Sequence, residues 1–129
     1  MSIGFTLGKE ERLRSNLSIQ ELLKQGKSVY SFPLKIYWDF SPDIHQKYPA
    51  RVAVIVPKRK FRRAVDRNLM KRRLREAYRL NKSILYESLE ERNQKIQLII
   101  LLLSDEFIPF SQLEKRTQEI LLQLTKKLS

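Results

Sequence analysis

The 129-residue chain contains no cysteine, so disulfides and thiolate metal sites are excluded and a reducing cytoplasm is compatible with it. One histidine, His45, cannot anchor a His-based metal site alone. No apolar run approaches the ~18–20 residues of a membrane span. The opening MSIGFTLGKEERLR lacks the hydrophobic core of a signal peptide and carries two acids, so neither secretion nor organelle import is indicated. There is no Gly-rich phosphate loop, no nucleophile–base pairing and no carboxylate cluster beside a histidine. Glu87, Glu90 and Glu91 share a helix face, which reads as solvated rather than metal-binding. Acids are scarcest where bases crowd. Residues 51–82 hold 13 basic and 2 acidic side chains, whereas the rest of the chain holds 13 and 12. Almost all of the net charge of +12 therefore lies in one quarter of the chain, which implies a polyanionic partner, most often nucleic acid. A membrane surface fits less well, because a membrane-lying helix needs bulky apolar residues opposite its charges.

What is present suits one domain over residues 1–129, with 1–11 loosely ordered. Ser15 or Asn16 caps a helix running to about Gln25, with Ile19, Leu22 and Leu23 on its apolar face and Gly26 at C′. LKIYWDF, residues 34–40, alternates like a strand, with Leu34, Ile36, Trp38 and Phe40 on one face and Lys35, Tyr37 and Asp39 on the other. A polar connector, 41–49, precedes RVAVIVP, which reads as a central strand. The basic loop KRKFRR, 58–63, follows, and Ala64-Val65 offers a short extended piece. Asp66 caps a helix from Arg67 to about Leu89, with an interruption near Asn81. KIQLIILLLS, 95–104, reads as a buried strand. Ser111 and Glu114 form a capping box before a helix with Leu113, Thr117, Ile120, Leu121, Leu124 and Leu128 on one stripe. Helix, two or three strands, helix, strand, helix is an α+β order with a small sheet.

The segment AVDRNLMKRRLREAYRL, 64–80, raises a physical problem. Arg67/Lys71, Lys71/Arg75, Arg72/Arg75 and Arg75/Arg79 are like-charge pairs at helical spacing, each costing roughly 0.2–0.5 kcal/mol. With Arg67 at 0° and ~100° per residue, Met70, Leu74, Ala77 and Tyr78 cluster near 280–20°. Asn68, Lys71, Arg72, Arg75 and Arg79 cluster near 40–140°, with Glu76 at ~180° beside Arg72 and Arg79, and Arg73 outside both stripes. Either this is a solvated face or it is a track for phosphates; the single sign of its charge favours the track. A helix-turn-helix DNA reader needs a second helix just upstream, and a strand and loop stand there instead.

FRRAVDRNLMKRRLR, 61–75, resembles the signature of the protein component of bacterial ribonuclease P, through Phe61, Ala64, Arg67, Asn68, Met70, Lys71, Arg72, Leu74 and Arg75. RLRSNLSIQELLKQGKSVY and RVAVIVPKR are similar to that family's first helix and to the strand before its basic helix. Leu69 departs from the Arg usual there, and Ile55 and Pro57 stand where small polar residues are common. The resemblance implies an αβββαβα fold, ribosomal-protein-like, with a left-handed βαβ crossover. It implies an endoribonuclease holoenzyme in which the RNA subunit is catalytic and Mg²⁺ is held by RNA, with no catalytic residue, metal or cofactor on this chain. The implied partners are the ribonuclease P RNA subunit and precursor tRNA in the cytoplasm, with neither a membrane nor a small-molecule substrate. The RNA subunit would meet Arg67, Asn68, Lys71, Arg72, Arg75, Arg79, Lys60, Arg62 and Arg63. A cleft for the 5′ leader of precursor tRNA would be lined by Ile19, Leu23, Lys35, Tyr37 and Ile55, with Lys58 and Arg59 at its edge. Ile19, Leu23 and Tyr37 read equally well as core or half-exposed sheet residues. The alternatives are a structured-RNA-binding or ribosome-associated module, and a metal-dependent nuclease acting alone.

Overall fold

Helix α1, Asn16–Gln25, begins at Ser15, whose hydroxyl accepts the Ser18 amide at 3.3 Å. It ends at Gly26, which has extended backbone (φ −67°) rather than the left-handed C′ conformation expected. Glycine is needed for another reason: a Cβ there would lie 2.5 Å from the Leu22 carbonyl oxygen. The computed structural model describes residues 7–128, in which α1 is followed by strands β1 (Lys27–Ser31), β2 (Leu34–Phe40) and β3 (Ala50–Ile55). Helix α2 (Ala64–Glu91), strand β4 (Ile96–Leu102) and helix α3 (Phe110–Lys127) complete the αβββαβα order.

The third early strand is thus β1, not Ala64-Val65, which open α2. Asp66 is not the cap, because the first turn closes earlier, with the Arg67 amide donating to the Arg63 carbonyl at 3.1 Å. Asp66 instead places its charge in the first turn, where the helix dipole favours it. Nor is α2 broken at Asn81: its side-chain amide donates to the Ala77 carbonyl at 2.8 Å and to Glu114 at 3.2 Å, and it accepts from Gln118 at 2.9 Å. That bridge to α3 uses the Glu114 expected in a capping box. Ser111 lies inside the first turn of α3, whose N-cap, Pro109, has no side-chain cap bond.

The sheet order is β1-β2-β4-β3, with β1/β2 and β2/β4 antiparallel and β3/β4 parallel across the α2 connection. β3 is therefore an edge strand, not a central one. Its apolar sequence follows from cover on both faces, Ala50 and Val52 in the main core and Ala53 and Ile55 against Leu13 and Ile99, while the Leu13 amide donates to the Val52 carbonyl at 2.8 Å on its outer edge. One sheet face, with Leu34, Ile36, Trp38, Val52, Leu98, Ile100 and Leu102, packs against Met70, Leu74, Tyr78, Leu85 and Leu89 of α2 and the Leu113–Leu124 stripe of α3. Phe40, expected on this face, is 43% exposed. α1 covers the opposite face, where Leu22 and Leu13 meet Ile99.

Lys9–Glu11 form a 3-10 turn ending in buried Glu11; residues 1–6, part of the stretch expected to be loosely ordered, lie outside the described residues. Glu11 Oε2 lies 2.6 Å from Lys82 Nζ and accepts from the Tyr86 hydroxyl, with both charged side chains 4% exposed. Connector 41–49 is tied down as well. Buried Gln46 donates to the Tyr48 and Ile96 carbonyls at 2.9 and 3.1 Å, and Asp43 pairs with Arg51 at 3.0 Å. Among the described residues no helix is long and apolar enough to cross a membrane.

Candidate nucleic-acid interface

One stripe of α2 is spoken for by the core. Met70, Leu74, Ala77 and Tyr78 are fully buried, as the 3.6-residue period requires. Burying Met70 and Leu74 alone gains about 1.5–3 kcal/mol each. That exceeds the ~1 kcal/mol of repulsion left once Glu76 offsets part of it. The core therefore holds a helix whose outer charges repel one another.

Outside that stripe, Asn68, Arg72 and Arg75 are exposed and Lys71 is half-buried. Among the described residues no acid forms an ion pair with Lys71, Arg72 or Arg75. Partial desolvation, and then the nearby Arg12 guanidinium, push the Arg75 pKa below its ordinary value. Arg79 differs, because it is bonded to Glu76, whose carboxyl this contact holds below the usual glutamate range.

Two of the arginines act inward. Arg67 Nη1 donates to the Phe61 and Arg62 carbonyls at 2.9 and 2.8 Å. Phe61 is buried and meets Phe107 edge-on at 5.3 Å, so ring and guanidinium together pin the loop after β3. Lys58, Arg59, Arg62 and Arg63 then project into solvent, and Lys60 is half-buried. Arg73, outside both stripes, donates to the Ile108 carbonyl at 2.8 Å and holds the entry to α3.

On the α1 face of the sheet, Ile19, Tyr37, Ala53 and Ile55 pack around Leu13, Leu22 and Ile99. The structure thus brings together three of the expected cleft residues. Lys35 Nζ lies 4.7 Å from the Tyr37 ring centre, close enough for a cation–π contact. Leu23 stands outside this cluster, 41% exposed. Lys58 and Arg59 follow directly from the end of β3, beyond Ile55.

Sequence reasoning missed Arg12 and Arg14. With Ile19, Ala53 and Arg75 they border a cleft of about 370 Å³ between α1, β3 and α2. Their alternation around buried Leu13 in RLR was the available signal; what it could not tell is that the arm runs alongside the outer edge of β3. Three cations over an apolar floor join the α2 stripe to the α1 face, an arrangement suited to phosphates and bases together. Among the described residues no group of three or more His, Asp or Glu is placed to hold a metal ion.

A family model described as Ribonuclease P matches residues 7–125. The ribonuclease P protein component of Porphyromonas gingivalis is 36% identical over 120 residues, spanning 93% of this chain and 87% of that protein. That of Chlorobium phaeobacteroides is 33% identical over 121 residues, spanning 89% and 83%. The Staphylococcus aureus RNase P protein superposes with a TM-score of 0.69 at 21% identity over 90% of this chain and 95% of that one. The Thermotoga maritima RNase P protein does so at 0.69 and 22%, over 88% and 96%. The two solved structures speak for the fold, and the family model and curated relatives for descent: the chain belongs to the Ribonuclease P protein family.

Proposed function

We propose that this chain is the protein subunit of ribonuclease P and supports removal of the 5′ leader from precursor tRNA in the cytoplasm. The observation that carries the reading is the outer flank of α2, where Lys71, Arg72 and Arg75 have no acidic partner among the described residues and lie beside a loop of five cations. Asn68, Lys71, Arg72, Arg75 and the loop residues Lys60, Arg62 and Arg63 bind the RNA subunit through its phosphates. Arg67 serves that surface by fixing the loop's backbone, and Arg79 contributes from its pair with Glu76. Ile19, Tyr37, Ile55 and Lys35 receive the single-stranded leader, with Leu23, Lys58 and Arg59 at the margins. Catalysis and its Mg²⁺ belong to the RNA subunit, and this chain supplies electrostatic neutralisation and a track for the leader.

The test is cleavage of precursor tRNA by the purified protein with and without a ribonuclease P RNA, at low Mg²⁺. Cleavage should need both components. Cleavage by the protein alone would make it a nuclease in its own right. No stimulation of the RNA would leave a structured-RNA-binding module.

A further inference from the structure

The strand registers place four residues in one row across the sheet face that carries α1. Ile55 of β3 lies opposite Leu101 of β4, Leu101 opposite Lys35 of β2, and Lys35 opposite Tyr30 of β1. Strands lie about 4.8 Å apart, so the row spans about 14 Å. α1 presses on the neighbouring row, where Leu22 meets Ile99 and Tyr37 packs alongside. The Ile55 row is left more open: Ile55, Leu101 and Lys35 are half-buried, and Tyr30 is 57% exposed.

Tyr30 and Tyr37 are diagonal cross-strand neighbours on this face, a separation aromatic side chains can bridge. The Lys35 ammonium lies over the Tyr37 ring, on the strand position facing Tyr30. At the other end, β3 runs into Lys58 and Arg59. Neither the row nor those two loop residues includes an acid, and the nearest on β2, Asp39, is paired with Lys27 at 3.0 Å. An apolar floor, a cation and two rings fit single-stranded nucleic acid, whose bases stack while its phosphates seek positive charge.

We propose that Tyr30 is a second base-stacking platform, which receives a leader nucleotide farther from the cleavage point than the one met by Tyr37. Direction follows from the sheet order: the basic helix and loop adjoin β3, and β1 is the strand most distant from it. The inference rests on the leader reading above. It adds to it a residue outside the expected cleft and a dependence on leader length.

The experiment measures the affinity of the reconstituted holoenzyme for precursor tRNAs carrying a ladder of leader lengths. Tyr30→Thr keeps a strand-favouring side chain while removing the ring, and Tyr30→Phe keeps the ring. Tyr30→Thr should leave short leaders unaffected and weaken long ones by about fivefold or more, the lower end of the stacking range. Tyr30→Phe should restore most of that loss. An equal effect at every length, or no effect while Tyr37→Ala still weakens leader binding, overturns the role of Tyr30 alone. If neither tyrosine shows any dependence on the leader, the cleft reading fails along with it.

Discussion

The two halves of α2 treat the same charge in opposite ways. From Ala64 to Arg79 the helix lines its outer flank with cations that, among the described residues, pair with almost no acid. From Leu80 to Glu91 its one cation, Lys82, is buried, and it faces Glu11 from 71 residues upstream. A solvated charge can await an external anion, because water supports it meanwhile. A buried one cannot, since uncompensated desolvation costs several kcal/mol. The cations of the first half stand in water, and the cation of the second half is held within the fold.

The comparison breaks most visibly at Lys82. Lys82→Met strands the Glu11 carboxylate and should cost about 3–5 kcal/mol in urea unfolding, while Glu11→Leu with Lys82→Met should recover most of the loss. If the single variant unfolds like the parent, the Glu11–Lys82 pair does not support the fold. Charge reversal at Lys71 and Arg75 is the counterpart in the exposed half. Stability should shift by no more than ~0.5 kcal/mol, as for ordinary surface changes. Precursor tRNA cleavage at low Mg²⁺ should fall tenfold or more, and the salt dependence of RNA binding should lose a slope of about one per phosphate contact removed. Unchanged cleavage would remove the docking role from this flank.

Acid sharpens the contrast further. Burial pushes the Glu11 carboxyl up, but Lys82, Tyr86 and the Gly8 amide outweigh it and hold its pKa below the ordinary value. The stability this contributes is complete above the unfolded glutamate value of about 4.3 and is lost as pH falls through the lowered native one. Glu11→Gln should remove that part of the acid slope, read as unfolding midpoint against pH. In the buried half Asn81→Ala cuts the bridge to Glu114 and Gln118 and should cost about 1–3 kcal/mol in unfolding without changing RNA affinity.

What was legible had a short period. Met70, Leu74, Ala77 and Tyr78, and the stripe Leu113, Thr117, Ile120, Leu121 and Leu124, are buried where the 3.6-residue repeat puts them. The basic stripe beside Met70 was equally readable, since charge and angle are both local. Helix starts were less so. Asp66 and Ser111 look like caps, yet backbone closure at Arg63 and Pro109 starts each helix earlier. β3 reads as central because it is apolar, yet it is an edge strand with both faces covered, Ala50 and Val52 by the main core and Ala53 and Ile55 by Leu13, Leu22 and Ile99.

From its residues alone this chain was bound to carry a helix with one greasy and one cationic side, because periodicity and net charge need no knowledge of neighbours. Which cations face outward was decided by packing: Arg67 and Arg73 turn to backbone carbonyls, and Lys82 is enclosed with Glu11. The row from Ile55 to Tyr30 was decided by strand register, and the meeting of Arg12 with Arg75 by the path of the N-terminal arm. Such contacts join distant parts of the chain, and only the folded backbone sets the distances on which they depend.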